Sequence, residues 1–175
     1  VPCGEYVPFR SLVDWTGIVD RIPYDFTPGK ERTIFNVKGH RLATVICFES
    51  AFGPLVRDFV DRGAEVVVVS TNNRSYRRSG NSAQHIAQTQ MRAAETGRPF
   101  VQASISGMSA VIDADGDVRN KTELFQRTVV TDTVTTTTGE TPYVRFGEWG
   151  VAVSALLLLG AAVVSRVRRP RATFP

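Results

Sequence analysis

Cys47 follows the apolar run Arg41-Leu42-Ala43-Thr44-Val45-Ile46 and precedes Phe48-Glu49-Ser50. A residue between a strand and a helix-bound turn is lifted out of the sheet, and the N–H groups of the turn point at the same spot. That is the geometry of a nucleophile elbow. A thiolate there is placed to attack a carbonyl, with the Phe48 N–H stabilising the oxyanion. The plainer alternative is a small buried hydrophobe at a strand end, a role cysteine often takes. Glu49 lies two residues on. Glu5 sits in Val1-Pro2-Cys3-Gly4-Glu5-Tyr6-Val7-Pro8, framed by prolines and a glycine that hold a carboxylate in one place. Each glutamate fits a site carboxylate and fits equally a solvated loop charge. His40 and His85 are the two histidines, and neither has a partner at metal-ligand spacing. A Cys47–His85 dyad is an open pairing that the spacing does not support. No glycine-rich phosphate loop is present, and no cofactor is implied.

These residues need elements to hold them. Residues 33–37 and 41–46 read as strands joined by the tight turn Lys38-Gly39-His40, a hairpin. A short helix is expected over 54–62, with Pro54 in its first turn and Gly63 at its stop. Residues 65–70 form a continuous apolar strand of the kind covered on both faces. Residues 71–80 are a polar loop containing Arg74, Arg77 and Arg78. A helix follows over 81–96, capped by Ser82 and stopped at Gly97-Arg98-Pro99. Residues 100–104, 109–113 and 125–134 read as three further strands, with a turn at Asp115-Gly116. Residues 135–143 read as extended chain. Strands alternating with helices indicate a layered α/β or α+β domain.

Between Trp149 and Ser165 there is no charged residue, and Arg166, Arg168, Arg169 and Arg171 follow. Seventeen helical residues span roughly 25 Å, close to a hydrocarbon core of about 30 Å once the flanking Trp and Arg are counted. A membrane span is expected, with the arginines cytoplasmic and residues 1–148 on the outer side. Lys and Arg number 21 against 17 Asp and Glu, so removing the four tail arginines leaves 17 against 17. The positive charge therefore belongs to a tail, and a nucleic-acid partner is not expected. With 42% hydrophobic and 22% charged residues the chain is neither disordered nor fibrous, and two cysteines do not make a disulfide framework.

The residues 1–8, Ile46-Cys47-Phe48-Glu49, Ser70-Thr71-Asn72-Asn73, Gln84-His85, Gln90-Met91-Arg92-Ala93-Ala94-Glu95 and Arg98-Pro99 together resemble the carbon–nitrogen hydrolase (nitrilase) superfamily. Residues 107–112, residues 137–143 and the apolar C-terminus with its basic tail are similar to the membrane-bound acyltransferase branch of that family. The resemblance implies an α-β-β-α sandwich, here its C-terminal part, plus one transmembrane helix. It implies boundaries at 1–145 for the extracytoplasmic domain, 146–166 for the span and 167–175 for the cytoplasmic tail. It also implies a reaction: a Cys takes an acyl chain from a phospholipid as a thioester and passes it to the amino group of a diacylglyceryl-cysteine lipoprotein. Carried over, Cys47 is the nucleophile, the Phe48 N–H serves the oxyanion, Glu5 is the supporting glutamate and Glu49 the acidic position after the nucleophile.

The chain departs from the family pattern. The family's catalytic Lys and general-base Glu fall before Val1, as do its N-terminal membrane helices, and Cys3 stands where an aromatic is usual. The chain by itself is therefore expected to be an inactive C-terminal portion whose uncovered sheet face favours aggregation, with a Cys3–Cys47 disulfide as a side reaction. Two competing readings remain: a nitrilase-type amidase of small amides, and a non-catalytic membrane-anchored module presenting Arg74, Arg77 and Arg78 to anionic headgroups.

Overall fold

The computed structural model describes residues 5–13, 15, 17, 24–27 and 29–168. Cys3 and its disulfide, together with Arg169 and Arg171 of the tail, lie outside the described residues. After a single helical turn, α1 (Arg10–Val13), the described chain forms one six-stranded sheet in sequential order. The strands are β1 (Ile34–Val37), β2 (His40–Ile46), β3 (Val66–Thr71), β4 (Phe100–Ser104), β5 (Ala110–Ile112) and β6 (Val118–Arg119).

The expected hairpin is β1–β2, antiparallel with Ile34 opposite Ala43. Its two-residue turn puts Lys38 at φ +53° and Gly39 at φ +89°, the backbone that matches strand twist in a tight hairpin. β2, β3 and β4 are parallel. The first connection carries α2 (Gly53–Asp61) and the second α3 (Asn81–Thr96). β5 and β6 add antiparallel strands at the far edge. α2 has Pro54 in its first turn and ends before Gly63 at φ +91°. α3 stops at Gly97 in the left-handed conformation, as expected. Ser82 does not cap α3: its hydroxyl is buried and accepts the Met108 N–H at 3.1 Å.

Period-two alternation places Ala43, Val45, Val67, Val69, Phe100 and Ile112 on one sheet face. Val56, Phe59 and Val60 of α2, Ile86 and Ala93 of α3, and Val144 pack onto it as a single core. The other face is different. Ser70 is exposed and Ile46 is 63% exposed, so β3 is fully covered on one face only. Among the described residues, the segment 122–130 overlies part of that second face, enclosing a cavity of about 390 Å³ with Val101, Ala103 and Val111. This corrects the expected strand over 125–134. The segment crosses the face of the sheet and is held by side chains, Asn120 Nδ2 to Asp132 Oδ2 and Arg119 Nη2 to the Thr133 carbonyl.

A short helix not foreseen from sequence, α4 (Pro142–Phe146), is capped by Thr141, whose Oγ1 accepts the Val144 N–H. Arg57 of α2 pins it through Nε to the Tyr143 and Val144 carbonyls. Then α5 (Trp149–Arg168) departs from the domain. Its window Trp149–Arg166 is long and apolar enough to cross a membrane, and none of it is buried against the rest.

Candidate active site

β2 ends at Ile46, and Cys47 opens a 3-10 turn, Cys47–Ala51. The backbone of Cys47 sits at φ +49°, where a side chain other than glycine's is strained by about 1–2 kcal/mol. The strain turns the chain out of the sheet and leaves a half-exposed, free thiol at the strand end. The Phe48 N–H lies in the first turn, where donors have no partner inside the helix. Glu49 answers one donor: its Oε2 accepts the Ile46 N–H at 2.7 Å. Its carboxylate thus braces the elbow from behind. The Phe48 ring packs edge-on against Phe52 with centroids 5.9 Å apart.

Beneath the elbow lies a buried polar network. His85, 2% exposed on α3, places Nε2 3.1 Å from the Cys47 carbonyl and 3.0 Å from Ser50 Oγ. Ser50 Oγ donates to the same carbonyl at 3.1 Å. On its other side, His85 Nδ1 lies 3.2 Å from the Asn73 side-chain amide, which also meets Thr71 Oγ1 at 2.8 Å. Burial holds His85 below its ordinary pKa, more strongly than the Cys47 carbonyl raises it. The ring is therefore neutral, with its proton on Nε2 for the carbonyl, and Nδ1 is an acceptor. The amide orientation that satisfies Nδ1 turns the Asn73 NH2 toward the ring and Thr71. The other end of that amide is buried without a partner.

His85 makes no hydrogen bond to the thiol. The imidazole holds the backbone of the nucleophile position, so a Cys47–His85 dyad is not formed. Gly107 closes the network: a Cβ there would lie 2.6–2.7 Å from Ser82 Oγ, Asn73 Nδ2 and Ser104 Oγ.

Two clefts flank the turn. One, of about 560 Å³, holds Cys47 with Asn72, Asn73 and the 3-10 turn Arg74–Tyr76, and continues to Arg77. Tyr76 is pushed up in pKa by burial and then by the charge of Cys47. The other cleft, of about 680 Å³, brings Glu5 together with Glu49. Glu5 is reached through its carbonyl, which accepts the Phe26 N–H, and Asp25 ties the same strap by accepting from Val7 N and Arg10. Arg10 beside it holds the Asp25 carboxyl below its usual range. His40 sits apart in the hairpin, 3.0 Å from Glu65. The structure thus sets Cys47, Phe48 and Glu49 on one turn and Glu5 across from Glu49. It adds His85, Asn73 and Ser50, whose part at the elbow is not readable from spacing because His85 is 38 residues from Cys47.

The fold and the elbow define an α/β protein with a cysteine at a strained strand end. The sequence profile described as carbon–nitrogen hydrolase matches residues 9–143, and the chain belongs to that family. It is similar to the apolipoprotein N-acyltransferase of Geobacter metallireducens, 34% identical over 94% of this chain and 31% of that protein. It is likewise similar to those of Shewanella oneidensis (32%, over 91% of this chain and 32% of that one) and Pasteurella multocida (33%, 98% and 34%). The chain spans about a third of the length of these relatives. Among solved structures it partly matches Saccharomyces cerevisiae Nit3 of the nitrilase superfamily, with a TM-score of 0.49 at 17% identity over 58% of this chain and 40% of that one.

Proposed function

We propose that this chain is the nucleophile-bearing part of an apolipoprotein N-acyltransferase. The observation that carries the reading is the conjunction of a strained cysteine elbow with similarity to proteins of that name over most of the chain. The unburied apolar helix that follows supports it. In this reading residues 1–145 are part of an α-β-β-α sandwich outside the cytoplasm, and the family's other half covers the second face of the sheet. Residues 146–166 span the membrane and residues 167–175 face the cytoplasm.

Cys47 Sγ, as thiolate, attacks an ester carbonyl of a phospholipid. The C–S bond forms, the C–O bond breaks, and the lysophospholipid leaves with the proton that the thiol gave to the base. The family resemblance puts that base, a glutamate, upstream of Val1. The amino group of a diacylglyceryl-cysteine lipoprotein then attacks the thioester; the C–N bond forms, the C–S bond breaks, and the amine's proton goes to the same base. The Phe48 N–H faces the oxyanion in both steps. Glu49 holds the elbow through Ile46, and Glu5 stands opposite it as the supporting carboxylate.

The test is mass spectrometry of the Cys47 peptide from the protein purified out of its own membranes. A hydroxylamine-sensitive fatty-acyl adduct on Cys47 is the expected result. An unmodified Cys47 in a protein that hydrolyses soluble amides replaces the reading with an amidase. A Cys47 inert to both leaves a binding module.

A further inference from the structure

The loop between β3 and α3 carries arginines that the fold does not use. Elsewhere in the described chain most guanidiniums are engaged, Arg127 and Arg166 excepted. Arg32 and Arg62 pair with Asp58, Arg92 with Glu95, and Arg119 with Asp113. Arg57 and Arg98 donate to backbone carbonyls. Arg78, in the same loop, lies over the Phe125 ring at 5.7 Å. Arg74 and Arg77 are exposed and have no carboxylate, carbonyl or ring partner among the described residues, yet both line the cleft that holds Cys47. No carboxylate lines that cleft. The backbone fixes where they stand: the 3-10 turn between them starts from Asn73, which His85 and Thr71 grip, and ends at Arg77 in a positive-φ conformation. Two unpaired, forked cations beside a nucleophile make a site for a tetrahedral oxyanion, since guanidinium matches phosphate bidentately and is weakly hydrated.

We propose that Arg74 and Arg77 bind the phosphodiester of the acyl donor and select an anionic glycerophospholipid, phosphatidylglycerol in type, over a zwitterionic one. The inference rests on the acyl-transfer reading of Cys47. In a glycerophospholipid the phosphate is a few bonds from the ester carbonyl, so a headgroup held at the rim leaves the ester over Sγ. A choline headgroup would bring its own ammonium against the two guanidiniums, whereas glycerol brings hydroxyls that Asn72 and Ser75 in the same cleft can meet.

The experiment follows Cys47 by peptide-resolved mass spectrometry in the protein purified from its membranes into neutral detergent. First, it is labelled with a sulfonate-bearing and with a trimethylammonium-bearing methanethiosulfonate. The sulfonate reagent is expected to be favoured. The preference should fall about 3-fold per guanidinium in the Arg74→Gln and Arg77→Gln variants, and collapse in high salt. Arg78→Gln should keep the preference, and the paired Arg→Lys variants, which retain charge and report on folding, should keep most of it. Equal reagent rates in the native protein, or a preference unchanged in the double Gln variant, overturn the proposal.

Second, the protein is challenged with phosphatidylglycerol vesicles, phosphatidylcholine vesicles or inorganic phosphate before maleimide labelling. Protection by phosphatidylglycerol alone, lost in the double Gln variant, is the expected result. Equal protection by phosphatidylcholine removes the selectivity, and protection by inorganic phosphate alone removes the lipid headgroup. Arginine-dependent protection without an acyl adduct on Cys47 sustains the anion site and ends the acyl-transfer reading. An acyl adduct indifferent to both arginines does the reverse.

Discussion

At Cys47 a left-handed backbone and a reactive side chain occupy the same residue, so strain and chemistry separate by substitution. Cys47→Gly removes the thiol but relaxes φ +49°, whereas Cys47→Ala removes the thiol and keeps the strain. The glycine variant should be more stable than the alanine variant by about 1 kcal/mol in urea unfolding, and both should lack any Cys47 adduct. His85 supports the same residue from below. His85→Ala takes one partner from the Cys47 carbonyl, leaving Ser50, and one from the Asn73 amide, leaving Thr71, at a cost of about 1–3 kcal/mol, and His85→Gln, which keeps a donor, should recover part of it. Because burial depresses the His85 pKa, the unfolded chain binds the proton more readily. This contribution to stability is complete above the ordinary value of 6.5 and is lost as pH falls through the depressed value. Unfolding midpoints measured from neutrality downward should show that acid loss, and His85→Gln should blunt it.

Among the elements, α2, α3 and α4 meet where side chains leave no slack. Arg92 is buried on α3 and reaches Glu95, and the Arg92 guanidinium and the Tyr143 hydroxyl crowd the site where a Cβ on Gly53 would stand. Gly53 therefore allows α2 to begin against α3 and α4. Gly53→Ala should cost about 1–3 kcal/mol, read as a lowered unfolding midpoint, through displacement of a buried guanidinium with little room to move. Arg98 works similarly in the next connection. Its guanidinium is buried and donates to the carbonyls of Ala64, Gly97 and Gly139, joining the starts of β3 and β4 to the chain that leads to α4. Arg98→Met leaves those carbonyls without their donor and should destabilise the domain by several kcal/mol without changing Cys47 labelling in the folded fraction.

At the scale of the whole molecule, two apolar surfaces are unpartnered among the described residues. One is α5, whose leucines are exposed all round. In the 175-residue chain expressed by itself, deleting residues 149–168 should release the domain from carbonate-washed membranes, and retention after deletion would contradict the span. The other is the second face of the sheet, from Ile46 across Val68 to Val101, which the segment 122–130 covers only in part. An apolar face of that kind favours association, so the isolated chain should sediment as oligomers in detergent that solubilises α5 alone.

Local pattern is what the amino-acid sequence determined about this protein. The hairpin follows from Lys38-Gly39, the bounds of α2 and α3 from Pro54, Gly63 and Gly97, and the apolar helix from an uncharged run; each signal acts within a few residues. The position of Cys47 at a strand end is of the same kind. Tertiary structure decided which groups meet at the elbow. It brought Asn73 and His85 under Cys47, took Ser82 from capping to a Met108 contact, sent 125–134 across the sheet and set Arg74 and Arg77 at the rim of the cleft. Those outcomes depend on how α3 lies on β2 and β3, a packing of elements dozens of residues apart that no local periodicity encodes.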